Sequence, residues 1–175
     1  MGTQTRPGLG AILAGQIGVT AYVLGKNLEG ITHEDSLRHP SAGGNSLNWI
    51  VGHMADARNK LAIALTEEPV FSPVRLAMYD GTEEATYSAD EALDFDELQA
   101  CCQDAGEAVI SALTNMDDEA LSRPAPFSVT GNPDETVGSL ASTFAFHDAY
   151  HAGQTGVLRR VCGHPGVLTP PDVDA

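Results

Sequence analysis

Apolar side chains recur at steps of three and four in four stretches of the chain, and no stretch shows the strict alternation of a half-buried strand. The first stretch runs from about Leu9 to about Leu28, with Leu9, Ile12, Leu13, Ile17, Val23 and Leu24 on its stripe. Its glycines make it a weak helix by propensity, so packing must hold it. A loop from Gly30 to Gly44 follows. The second helix is predicted to start at Asn45-Ser46, both good caps, and to run to about Thr66, with Leu47, Ile50, Met54, Leu61 and Leu65 on its stripe. A long connection from about Glu67 to Ala92 reads as a crossover between the second and third helices. The third helix runs from Asp94 to about Leu113, and Phe95, Leu98, Cys102, Ala105, Val109 and Leu113 form its stripe. After a Pro- and Gly-rich loop from Arg123 to Pro133, the fourth begins at Asp134 to Thr136 and ends near Cys162. Gly163 and Pro165 form its stop signal. The predicted fold class is therefore all-α: a four-helix bundle over residues 1–163 with a tail over 164–175. Leu37-Arg38-His39-Pro40 and Leu121-Ser122-Arg123-Pro124 stand before the second and fourth helices, an echo as compatible with chance as with a repeated hairpin.

The fourth helix carries the chemistry. Val137, Leu140, Phe144, His147, His151, Gln154, Leu158 and Val161 follow one another on one stripe. Its ends are apolar, but its middle is two imidazoles and an amide. Buried polar groups cost roughly 1–3 kcal/mol each when unpaired, so something must satisfy these. Residues four apart lie on one helix face with Cβ atoms about 5–6 Å apart, which lets two imidazoles converge on one ion. A third ligand must come from another helix, and His53, on the edge of the second helix's stripe, is the best candidate. Gly52 and Gly153 are expected to remove bulk there. His33, His39 and His164 sit in flanking loops and are expected to be exposed. Two readings stay open on the residues alone: a metal site, or buried histidines paired with neighbouring carboxylates and backbone groups.

Composition narrows the partners. Nine basic residues stand against 24 acidic ones, a net charge of -15. That disfavours nucleic acid or an anionic membrane, which need a positive face. Three cysteines without a C-x-x-C spacing fit a reducing cytoplasm and read as small buried hydrophobes, not a disulfide framework. Leu9 to Gly25, interrupted by Gln16 and Thr20, reads as a bundle helix and not as a signal peptide or membrane span. Asp148 stands where a zincin motif needs Glu, and the paired Glu-x-x-His motifs of di-iron bundles are absent.

Gly44-Asn45-Ser46-Leu47-Asn48-Trp49-Ile50-Val51-Gly52-His53 resembles the second-helix signature of the DinB-like superfamily. His147-Asp148-Ala149-Tyr150-His151-Ala152-Gly153-Gln154 resembles its fourth-helix signature. The resemblance implies a four-helix bundle with a long crossover, a metal ion on His53, His147 and His151, open coordination positions and a homodimer. Some relatives are transferases or isomerases that use mycothiol, bacillithiol or glutathione. The extra domain of the maleylpyruvate-isomerase relatives is not seen here. These features lead to an expected metal-dependent enzyme, with zinc or nickel activating a low-molecular-weight thiol or water for a small-molecule substrate. Asp148 and Gln154 are candidates to hold the outer nitrogens of the ligating imidazoles. Trp49 reads as a core aromatic that could also line the pocket. The alternative is a non-catalytic metal- or small-molecule-binding protein of stress response, in which the ion only braces the bundle.

Overall fold

A computed structural model describes residues 7–81 and 89–167. The end of the predicted tail, 168–175, and part of the long connection, 82–88, lie outside the described residues. In chain order the elements are α1 (Leu9–Leu28), α2 (His33–Ser36), α3 (Leu47–Thr66), a 3-10 helix over Pro73–Tyr79, α4 (Phe95–Thr114), α5 (Asp118–Leu121) and α6 (Val137–Val161). Among the described residues no strand forms. The four long helices match the four apolar stripes, and their starts sit where capping chemistry places them. The Ser46 hydroxyl accepts from the Trp49 amide, the Asp94 carboxylate from the Asp96 and Glu97 amides, and Thr136 forms a reciprocal capping box with Ser139.

The helices pack as α1 on α4 and α6, and α3 on α4 and α6. The short helices follow the same exchange: α2 packs on α3 and α4, and α5 on α6 and α1. A pseudo-two-fold swapping the two halves requires this pairing, and it gives the sequence echo before α3 and α6 a structural counterpart. By length and composition α1 could cross a membrane. Here its Leu13, Ile17, Leu24 and Leu28 side is buried in the protein.

α3 is buried around most of its circumference. Its polar residues are therefore paired internally, as burial demands. Asn59 accepts from the Val70 amide and donates to the Phe71 carbonyl. Asn48 donates to the Leu93 carbonyl and accepts from the Tyr79 hydroxyl. These bonds tie the long connection to α3 at both ends. Leu76 and Tyr79, both fully buried, anchor its middle. Arg58 reaches across to α6 and grips Asp148 with Nε and Nη2, the closest contact being 2.7 Å. Its Nη1 donates to the Cys102 carbonyl on α4 at 2.8 Å. A Cβ at Gly106 would meet Arg58 Nη1 at 2.9 Å, so the glycine makes room for the guanidinium.

Breaking a buried ion pair by removing one partner costs about 3–5 kcal/mol, whereas replacing both with apolar groups is often neutral. R58M is expected to lower Tm by on the order of 10 °C, and R58M combined with D148L to recover most of that loss. Thermal denaturation of the two variants checks this, and an R58M protein as stable as the parent would contradict it.

Candidate metal centre

The three histidines singled out from the sequence come together on the seam between α3 and α6. Each offers a ligand atom, and those atoms lie within 4.8 Å of one another. His53 Nε2 and His147 Nε2 are 2.9 Å apart. The ring centroids of His147 and His151 are 4.4 Å apart, and those of His53 and His151 are 5.0 Å apart. Tetrahedral ligands at about 2.1 Å from an ion are about 3.4 Å from each other, within the compass of this cluster.

Two of the rings are set in one tautomer by their outer nitrogens. His53 Nδ1 donates to the Tyr79 carbonyl at 2.9 Å. His151 Nδ1 donates to Gln154 Oε1 at 2.7 Å. A carbonyl and an amide oxygen can only accept, so a proton sits on Nδ1 of each ring and Nε2 is the atom each could offer to an ion. Burial, then the neighbouring His151 and His53 imidazoles and the Arg58 guanidinium, push His147 down to about 3. Burial lowers His151 as well. Both rings are therefore neutral near pH 7 and can donate to a cation. His147 Nδ1 is buried without a hydrogen-bond partner. A largely half-buried imidazole cluster with an unpartnered Nδ1 has the donor set to hold a metal ion.

The supporting residues partly differ from expectation. Gln154 holds His151, as its spacing suggests. Asp148 does not bond an imidazole: it is buried, and Arg58 binds both of its carboxylate oxygens. It acts on His151 only through its charge, which raises that ring's proton affinity. The group holding His53 is the backbone of Tyr79, which the sequence reading missed. The signal was Gly52, whose absent Cβ would lie 2.4 Å from the Tyr79 ring. Gly153, by contrast, is exposed and opens no space at the site. Trp49 is buried, and its ring stacks on His53 at 4.7 Å with 13° between planes.

Of the other histidines, His39 is exposed as expected. His33 is half-buried, and so is His164, which faces Asp35 at 3.1 Å. None joins the cluster. The three cysteines are all buried. Burial raises each thiol, Cys102 to about 11, so none is a thiolate near neutrality.

His53, His147 and His151 line a cavity of about 890 Å³ that opens to solvent. Trp49, Phe146, Tyr150 and Val157 form apolar walls, and Asn45, Thr130, Thr143 and Gln154 add uncharged polar groups.

The family described as the DinB superfamily matches residues 20–155, a span that includes all three histidines. No curated protein matches the chain. Four chains of solved structures match. One is a conserved protein from Enterococcus faecalis, 17% identical, with a TM-score of 0.67 over 86% of this chain and 95% of that one. At that identity the likeness is one of fold.

Loss of a partner that orients a ligating imidazole weakens metal affinity by about 10–100-fold. Q154L is expected to do this with helical content unchanged. G52A is expected to act from the opposite side by displacing Tyr79, losing about 1–3 kcal/mol of stability as well. Metal titration and circular dichroism on the two variants check this. Parental affinity in Q154L would mean that the amide does not orient the ring.

Proposed function

The chain belongs to the DinB superfamily, and from that premise we propose that it is a metal-dependent enzyme acting on a small molecule, most simply a thiol-dependent S-transferase. The observation that carries the reading is the pair of parked protons. Tyr79 and Gln154 keep Nδ1 protonated on His53 and His151, which leaves Nε2 of both rings for an ion, beside His147 and an open cavity. A structural zinc site is closed by four protein ligands, whereas a catalytic one keeps a position free. Here the described residues supply three, next to space for a substrate. That favours catalysis over an ion that only braces the bundle.

When bound, a divalent ion at this point would lower the pKa of a thiol or a water placed on its free position. A thiolate supplied in this way would bond through sulfur to an electrophilic carbon, with the leaving group taking the bonding electrons and the thiol proton passing to solvent. Trp49 and Tyr150 hold the organic part of the substrate against the histidines. Zinc and nickel both suit three imidazoles.

The same reading makes the protein a cytoplasmic homodimer without a nucleic-acid or membrane partner. The outward side of α1 supports self-association, since Leu9, Ile12, Val19 and Tyr22 are between 48% and 66% exposed.

The deciding experiment pairs metal analysis with a screen of thiols against an activated aryl halide. The expected result is about one divalent ion per chain and turnover that a chelator abolishes, both lost in His151→Ala. A chain that takes up no metal when it is supplied sinks the proposal. Sedimentation is expected to give twice the 18.3 kDa chain mass, with V19E combined with Y22E shifting the protein to monomer.

A further inference from the structure

We infer that the cavity beside the three histidines takes an uncharged, ring-bearing molecule and discriminates against ligands whose distal end carries a carboxylate or phosphate. The inference deepens the proposed function and uses its metal only as an anchor for one end of the ligand.

The cationic side chains of the described residues lie away from the cavity or are held by other groups. None of the described residues lining the cavity is lysine or arginine. Arg58, on the neighbouring turn of α3, is bound at both ends by Asp148 and the Cys102 carbonyl. Lys60 lines an adjoining recess with His53 and His147, but Asp56 at 2.8 Å and Asp80 at 2.7 Å hold it. Lys26, Arg38 and Arg75 pair with Glu29, Asp35 and Glu97. Arg159 and Arg160 donate to backbone carbonyls.

A charged group brought into such a cavity loses hydration without gaining a cationic side chain as partner. The net charge of -15 adds a repulsive field on approach. A bound ion would attract a distal anion as well, but its field falls with distance and is screened by water in the open cavity, so it offsets the repulsion least at the far end of the ligand.

The walls describe what is accepted instead. Phe146, Tyr150 and Val157 are 70%, 56% and 62% exposed, large apolar groups left in water at the cavity mouth. Trp49, already stacked on His53, presents an aromatic surface within. Flat rings gain from such neighbours through area and through offset or edge-to-face contact. Thr130, Thr143 and Gln154 can meet hydroxyl or amide groups. A volume of about 890 Å³ falls at the upper end of ordinary small-molecule sites, about 300–1,000 Å³.

The test uses ligands matched at the metal-binding head and differing at the far end: benzyl mercaptan against its para-carboxylate, and phenylimidazole against its carboxylate. Binding is measured by calorimetry on protein with its metal content determined, and on chelator-treated protein. The neutral member of each pair is expected to bind at least ~10-fold tighter. V157K, which places a cation at the mouth, is expected to narrow or reverse that ratio. Equal affinities within both pairs, tighter binding of the carboxylates, or no change of ratio in V157K overturns the inference. If about one metal ion is bound and no pair member binds, the ligand class is wrong and the metal centre stands. If no metal is bound yet the neutral preference persists, the metal centre is wrong and the ligand class stands.

Discussion

Everything near the site depends on the ion pair between Arg58 and Asp148. Its side chains are 4% and 5% exposed, and two charges at that depth tolerate little misalignment. A slip of α3 against α6 would strand a guanidinium among apolar side chains. The pair therefore selects one register between the two helices that carry the histidines. Asp148 follows His147 directly and precedes His151 by less than a turn, while Arg58 lies little more than a turn beyond His53. Fixing the pair fixes the facing of the three imidazoles. The Cys102 carbonyl extends the same constraint to α4.

This polar layer also divides the core. One apolar cluster gathers Leu24, Leu28, Trp49, Ile50, Leu98 and Leu158. The other gathers Leu13, Ile17, Leu61, Val109, Leu113 and Leu140. Arg58, Asp148 and His151 lie between them along α3 and α6. Each end can reach close-packed density independently, so the middle need not supply hydrophobic stabilisation. The chain can then place imidazoles there without losing its fold, provided most of their outer nitrogens are held. Tyr79 and Gln154 hold two of them.

Most of the architecture was legible because four stripes, three side-chain caps and a glycine stop all pointed to the same helices. α2, α5 and the turn over Pro73–Tyr79 were not, since one or two turns carry no readable period. Tyr79 stayed hidden for a related reason: one aromatic among several in the long connection gives no sign by itself that its backbone carbonyl will meet His53. The histidines were visible as an interruption of an apolar stripe. Asp148 was misplaced because α6 packs against both α1 and α3, so its buried face is wider than one stripe. It also takes in Asp148, Thr155 and Arg159.

That wider face explains why the histidine cluster is accessible. On α6 the side chain of Asp148 turns inward to Arg58, toward α4, while His147 and His151 turn to the seam with α3 and the cavity beyond it. The closed centre of the bundle, where a purely structural ion would gain most from exclusion of water, is taken by the ion pair. The imidazoles are left at the boundary, with protein on one side and a solvent-filled cavity on the other. A donor set in that position can hold an ion and still present it to a molecule arriving from outside, which is the physical requirement that separates a catalytic metal centre from a brace.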